Sequence, residues 1–118
     1  MHRKTPKHLE DIRLALESIG QFVSGKGLAE YRADGMLRAA VERNLEIMGE
    51  AINRIAKQDP DTADRIGSYA KIIAFRNILA HGYDMIDDEQ VWSVVQNQLP
   101  VLRQDVGVLL READSMSD

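Results

Sequence analysis

The chain contains no cysteine, so disulfide bonds, thiolate nucleophiles and cysteine-ligated zinc or iron–sulfur sites are excluded. It also has no apolar run approaching the ~20 residues that a bilayer-spanning helix needs. The basic amino terminus is followed by alternating charged and apolar residues, and not by the apolar core of a signal peptide. These absences predict a cytoplasmic protein that makes no membrane contact.

The chain also has no excess of basic residues over acidic ones. The 15 Lys and Arg residues stand against 19 Asp and Glu residues, which gives a formal net charge of −4. Because nonspecific affinity for nucleic acid grows with the number of phosphates neutralised, a broad basic face is excluded and any RNA site must be local. His2 and His8 have no metal-binding spacing to other ligands, so we expect surface residues there and neither a metal nor a cofactor.

Helical periodicity is what the sequence does contain. The length of 118 residues suits one domain spanning 1–118, and no segment shows the two-residue alternation of a half-buried strand. Thr5 as N-cap and Pro6 as first helical residue predict the start of a helix. Gly25 and Gly27 are predicted to end this helix. Its apolar residues recur every three or four positions: Leu9, Ile12, Leu16, Ile19 and Val23.

The rest of the chain predicts further helices of the same kind. The segments are a short turn over 28–34, a long helix from about Gly35 to Gln58, a third helix from Ala63 or Tyr69 to Ala80, and a last helix from the Asp87 cap toward Asp114, bent at Pro100. We expect the two long helices to pair antiparallel and the third, which is apolar over most of its circumference, to be central. The sequence therefore predicts an all-α, four- to five-helix up-and-down bundle.

Strong polar groups interrupt the apolar third helix, and they are the candidate functional residues. Burying a guanidinium without a partner is costly, so Arg76 either pairs with a carboxylate such as Glu46 or Glu50 or faces a cleft. His81 either caps a helix terminus by a hydrogen bond or lies in the same cleft. The two readings remain open from the residues alone.

The spacing of these groups restricts how they can meet. Asn77 and His81 lie one turn apart on one helix face, whereas Arg76 and His81 diverge by about 140°. They can converge if the helix unwinds between Ala80 and Gly82, or if a second subunit supplies the missing group. A site at a dimer interface satisfies the second condition.

The spacing from Arg76 to His81 and Tyr83 resembles the signature of HEPN-domain proteins, specifically the HepT-like toxins that pair with a minimal nucleotidyltransferase antitoxin. The segment 38–51 is similar to the second helix of that family. Val91-Trp92 and Leu99-Pro100 are similar to its last helix. The resemblance covers nearly the whole chain and implies a HEPN-like homodimer.

The resemblance also implies a function: a metal-independent endoribonuclease toxin that cuts tRNA or mRNA in a cleft between subunits. Arg76 and His81 would be catalytic, with Asn77, Glu50 and Arg43 as supporting residues. Histidine titrates near neutral pH and can transfer protons, while a guanidinium stabilises the charge of a phosphorane.

For the motif tyrosine, the resemblance implies AMP attachment. The cognate nucleotidyltransferase would add AMP to Tyr83 and so silence the toxin, although Tyr83 also suits ordinary packing. The alternative function is a non-catalytic RNA- or nucleotide-binding module, or a structural subunit that docks a nucleotidyltransferase.

Overall fold

The computed structural model describes residues 1–67, 69–82, 84 and 86–116, and within these residues it contains helices and no strand. The elements are α1 (Thr5–Val23), α2 (Leu28–Ala33), α3 (Gly35–Gln58), α4 (Pro60–Ala63), α5 (Tyr69–His81), α6 (Asp88–Ser93), a π-helical segment (Val94–Gln98) and α7 (Leu99–Met116). The all-α prediction is confirmed. None of the helices in the described part of the chain is long and apolar enough to span a membrane.

The ends of α3 follow from local chemistry. The Asp34 side chain accepts a hydrogen bond from the backbone N–H of Leu37 at 3.1 Å and so caps the first turn. At the other end Asp59 precedes Pro60, and a residue before proline is disfavoured in the α conformation. The predicted bounds of this long helix, Gly35 to Gln58, are confirmed.

The start of α1 differs from the prediction by one residue. Thr5 is the first helical residue and Lys4 is the N-cap, so the expected capping role of Thr5 is wrong. The Thr5 hydroxyl instead donates to Asp59 Oδ2 at 2.9 Å, because this side chain faces α3 and not the end of its own helix. The bond joins the start of α1 to the end of α3, so the two helices run antiparallel as predicted.

The centre of the bundle is α3, which packs against α1 on one side and α5 on the other. α7 packs on α1, and α5 packs mainly on α3. The expectation that α5 is central is therefore wrong for the single chain. Its apolar circumference is only partly covered, since three of its residues are buried: Ile72, Phe75 and Leu79.

His8 is also placed differently from the prediction. It is 9% exposed and belongs to the buried side of α1, whereas a surface position was expected. The reason is helical register: His8 lies one turn before Ile12, which is fully buried, so the wide apolar face of α1 includes it. Both ring nitrogens lack a hydrogen-bond partner among the described residues.

Pro100 is the second residue of α7 and directly follows a π-helical segment, whereas the predicted bend at this residue stays a prediction. The proline has no N–H, so the carbonyl one turn earlier loses its helical donor. The helix widens just before it into the π segment Val94–Gln98, in which the backbone N–H of Leu99 donates to the carbonyl of Val94. This turn separates α6, near the motif, from α7, which packs on α1.

Asp59 is the polar junction between α1, α3 and α4. Its carboxylate accepts from the backbone N–H of His2 at 2.9 Å and from the hydroxyls of Thr5 and Thr62 at 2.9 and 2.8 Å. Burial opposes the charged form, but these hydrogen bonds and one from the Thr62 backbone outweigh it and lower the pKa of Asp59 to about 2.

Replacing Asp59 by Asn should therefore destabilise the fold in a pH-dependent way. The carboxyl has an ordinary pKa of 3.8, so its stabilisation is present above pH 4 and is lost as pH falls toward about 2. Discounted for the partial exposure of the group, we expect a loss of about 1–2 kcal/mol in the free energy of unfolding at neutral pH.

Urea unfolding of wild type and Asp59→Asn at neutral pH and near pH ~2.5 measures the effect. The exposed Asp61→Asn variant in the same helix-to-helix connection is the matched control and should change stability by less than about 0.5 kcal/mol. A gap between Asp59→Asn and wild type that stays constant over this pH range would contradict the assignment.

Candidate functional site

Arg76 and His81 lie on one uninterrupted helix. α5 runs from Tyr69 to His81, and the backbone N–H of Gly82 still donates to the carbonyl of Ile78 at 2.8 Å. The helix therefore does not unwind between Ala80 and Gly82, which was one of the two ways for the pair to converge. In a regular helix the two side chains leave the axis about 140° apart.

The Arg76 guanidinium is held between two partners. Its Nη2 donates to Glu50 Oε1 on α3 at 3.0 Å, and its Nη1 donates to Asn77 Oδ1 at 3.0 Å. Of the two carboxylates considered from the sequence, Glu50 is thus the partner. The side chains of Arg76 and Glu50 remain 24% and 38% exposed, so the pair borders solvent and not the interior.

One donor of Arg76 is sealed away. The Nε–H is buried and has no hydrogen-bond partner among the described residues. A guanidinium can bind an oxyanion through two parallel hydrogen bonds, and one of the edges that can do so consists of Nε–H and one Nη–H. In Arg76 the Nη2 of that edge is engaged by Glu50. A phosphate could use this edge only after displacing Glu50 and uncovering the Nε–H, so the Nη groups are the donors that border solvent.

His81 lies on the outward face of α5, away from α3. Its neighbours on this face are small or polar, and all are exposed in the single chain; we name the set the outer face of α5: Ala70, Ala74, Asn77 and His81. The half-buried Ile73 and Ile78 flank it. Asn77 belongs to this face and also accepts from Arg76, so it connects the surroundings of the two candidate catalytic residues.

Comparison with known proteins decides the family. The model of a family described as "Ribonuclease HepT-like" matches residues 12–109. The chain belongs to the HepT-like ribonuclease family. This confirms the resemblance predicted from the sequence motif. The family match also supports ribonuclease as the general functional class of the HepT-like chain.

Individual relatives of the HepT-like chain agree. "Probable ribonuclease HepT" of Thermococcus cleftensis is 30% identical over 106 residues, which cover 87% of this chain and 93% of the relative. Proteins whose names carry the word RNase are 27% identical in Caldanaerobacter subterraneus, over 92% of this chain and 97% of the relative, and 28% identical in Methanocaldococcus jannaschii, over 91% and 97%. No solved structure matches the chain significantly.

The other residues predicted to support the site, Glu50 and Arg43, lie on α3. Arg43 pairs with Glu46 on its own helix, with Nη1 to Oε2 at 3.5 Å, and is 64% exposed. It is seven residues before Glu50, so both lie on one side of α3 about 10 Å apart along the axis. The structure thus places Glu50 against Arg76 directly and Arg43 two turns away on the same surface.

Tyr83 lies outside the described residues. In the acidic segment after it, Asp87 caps α6 by accepting from the backbone N–H of Glu89 at 2.9 Å, as predicted. Asp88 lies 4.0 Å from Arg38 on α3. Burial, and then the charge of Asp88, raise the pKa of Glu42 beside this junction. The contact between Asp88 and Arg38 joins the start of α6 to α3.

The sequence predicts no metal site. Over residues 1–67, 69–82, 84 and 86–116, no group of three or more His, Asp or Glu side chains is arranged to hold a metal ion.

One residue of the site had no role in the sequence analysis. Gly49 is buried in the interior of α3 and faces the stem of Arg76. The sequence signal that could have identified Gly49 is its low helix propensity. Glycine inside a helix is about 1 kcal/mol less favourable than alanine, so a glycine at such a position indicates a packing requirement.

Proposed function

We propose that this HepT-like ribonuclease is the toxin of a HEPN/nucleotidyltransferase pair and cuts tRNA or mRNA in the cytoplasm. It acts as a metal-independent endoribonuclease in a cleft between two subunits. The observation that carries the proposal is the continuity of α5 through Arg76 and His81. Since one regular helix directs them to different faces, a second subunit is the remaining way to bring a guanidinium and an imidazole to one phosphodiester.

The outer face of α5 supports a homodimer. Ala70 and Ala74 leave room for the axis of a second helix to approach closely, because the distance between packed helices depends on the side chains at the contact. Ile73 and Ile78, half-buried in the single chain, add apolar area at the edges. In a twofold pairing through this face, the His81 side chains of both subunits would lie at one interface with Asn77 beside them.

The chemistry proposed for this cleft is transphosphorylation by the ribose 2′-hydroxyl. In each site a single His81 removes the proton of that hydroxyl or protonates the leaving 5′-oxygen. Arg76 stabilises the additional negative charge of the phosphorane through its planar guanidinium. The products are a 2′,3′-cyclic phosphate and a free 5′-hydroxyl, and no metal takes part.

Glu50 and Asn77 act through Arg76 in this scheme. By accepting from Nη2 and Nη1 they hold the guanidinium in one plane before RNA arrives, which reduces the entropy lost on binding. The ion pair borders solvent, so a phosphate can reach the Nη groups of Arg76. We assign Arg43, on the same side of α3, to contact with the RNA backbone.

The direct test is incubation of the purified protein with tRNA and mRNA in the presence of EDTA. We expect cleavage, with 2′,3′-cyclic phosphate on one fragment and 5′-hydroxyl on the other, as identified by mass spectrometry and by labelling with polynucleotide kinase. Cleavage that EDTA abolishes would contradict the metal-independent mechanism. Failure to cut any cellular RNA would contradict the ribonuclease itself.

Regulation by AMP attachment forms part of the proposal. The phenol of Tyr83 attacks the α-phosphate of ATP in the active site of the cognate nucleotidyltransferase, pyrophosphate leaves, and the tyrosyl-AMP carries added bulk and negative charge that repel RNA. Intact-mass measurement after incubation with the partner and ATP should show one added AMP per chain, absent from Tyr83→Phe. An unmodified wild-type chain under these conditions would contradict the scheme.

A binding function without turnover is the second candidate, and a specific contact favours it. Glu50 already occupies the Nη2 of Arg76, and the chain is acidic overall. The same cleft would then hold RNA or a nucleotide, or dock a nucleotidyltransferase as a structural subunit. RNA retained on the protein without any cut product, or partner binding that survives Arg76→Ala, would favour this candidate over the ribonuclease.

A further inference from the structure

α3 and α5 approach each other closely where Gly49 meets the stem of Arg76. A Cβ atom added at Gly49 would lie 2.3 Å from Arg76 Cβ and 2.6 Å from Arg76 Cγ. Carbon atoms in contact are normally separated by about 3.5–4.0 Å. The absence of a side chain at position 49 is therefore a condition for the observed position of Arg76.

We propose that Gly49 is a positioning residue for Arg76, an inference that rests on the proposed role of Arg76 in RNA cleavage. The notch left by Gly49 receives Cβ and Cγ of Arg76, so the guanidinium emerges beside Glu50, the next residue on α3. The notch thereby sets where on the surface the guanidinium meets a phosphate, and how deeply its Nε–H is buried.

The clash that a Cβ atom at position 49 would cause cannot be relieved by rotating a side chain. The nearest atom is Arg76 Cβ, which is fixed to the backbone of α5, and the carbonyl oxygen of Ile72 on the preceding turn lies 3.6 Å from the same point. A methyl group at position 49 must therefore move α5 away from α3 by about 1 Å or more. Such a shift carries Arg76 away from Glu50.

Gly107 in α7 provides the matched comparison. A Cβ added there would meet only the far end of a flexible side chain, Nη1 of Arg111 at 3.6 Å, which is ordinary contact. Both glycines are inside long helices, and alanine has the higher helix propensity at either position. A difference between the two alanine variants thus reports the notch and not the general effect of replacing glycine.

The experiment compares Gly49→Ala with Gly107→Ala in the full chain. In Gly49→Ala we expect kcat for RNA cleavage to fall about 100-fold, more than KM changes, because a displacement of about 1 Å at a catalytic group has this order of effect. Gly107→Ala should retain the wild-type kcat and KM. Circular dichroism should show the same helix content in both variants.

A spectroscopic readout separates positioning from loss of structure. The ¹⁵N–¹H signal of the Arg76 Nε–H, assigned by its disappearance in Arg76→Lys, should be visible because the group is sealed from water. It should move in Gly49→Ala and stay in place in Gly107→Ala. Gly49→Ala with wild-type kinetics and an unmoved Arg76 signal would overturn the inference.

If Gly49→Ala does not fold, the double variant Gly49→Ala/Arg76→Gly decides the matter. It removes the Cβ and Cγ atoms that the new methyl group would meet, so it should recover the helix content and melting temperature of the Arg76→Gly single variant. A double variant that also fails to fold would contradict the notch. A wild-type protein that cuts no RNA would overturn the proposed function, whereas the Arg76 signal still tests the position of the side chain.

Discussion

A heterodimer that pairs an Arg76→Ala subunit with a His81→Ala subunit should cut RNA at about half the wild-type rate, although each variant alone is inactive. The subunits can be co-expressed with different affinity tags and the heterodimer isolated on both tags in turn. The rate of RNA cleavage is the measurement. In this heterodimer one composite site has lost both groups, while the other keeps the Arg76 of one subunit and the His81 of its partner.

The loss in each homodimer should be large. Removing a general acid or base costs about 10²–10⁴-fold in rate, and removing one group that stabilises the developing charge costs about 10²–10³-fold. The fold should survive His81→Ala, since His81 is exposed at the end of α5. Any cleavage activity recovered in the heterodimer would then come from the one intact composite site, because the substitutions introduce no new contact.

The control heterodimer has the same two substitutions on one subunit and a wild-type partner. With sites shared between subunits, both composite sites lack one group, so the control should be inactive. If Arg76 and His81 of one chain worked together, the wild-type subunit would keep its own site and the control would give half the rate. An active control with an inactive mixed heterodimer would contradict the shared site.

Much of the fold could be predicted because local signals and tertiary packing agree. The three-four rhythm of apolar residues and the Asp59-Pro60 pair mark α3 from about Gly35 to Gln58 whatever surrounds the helix, and the structure has these bounds. The position of α5 could not be derived in the same way. An apolar circumference indicates that a helix is covered on several sides, but it does not say whether its own chain or a second copy covers it.

The site was only partly predictable for a related reason. The sequence limited the partner of Arg76 to Glu46 or Glu50, which lie four residues apart on one helix face, and only the register between α3 and α5 selects Glu50. Gly49, the residue before Glu50, lies at a close contact between the two helices. A pattern within one helix does not report which residue of a neighbouring helix it meets.

Placing a charge in the centre of the outer face of α5 should separate the subunits and stop cleavage. Ala74→Glu puts a carboxylate in each subunit at the proposed twofold contact, where two like charges would be desolvated together. We expect a monomer by light scattering at micromolar concentration and a loss of RNA cleavage of at least about 100-fold, because no complete site remains. Helix content should be unchanged, since Ala74 is exposed in the single chain.

The matched variant for this substitution is Ala29→Glu, which adds the same charge at an exposed alanine of α2 and leaves the outer face of α5 untouched. It should remain dimeric and active, so an effect confined to Ala74→Glu cannot come from net charge alone. A monomeric Ala74→Glu protein that still cuts RNA at the wild-type rate would show that one chain holds a complete site. A dimeric protein with unchanged activity would show that the subunits pair through another surface.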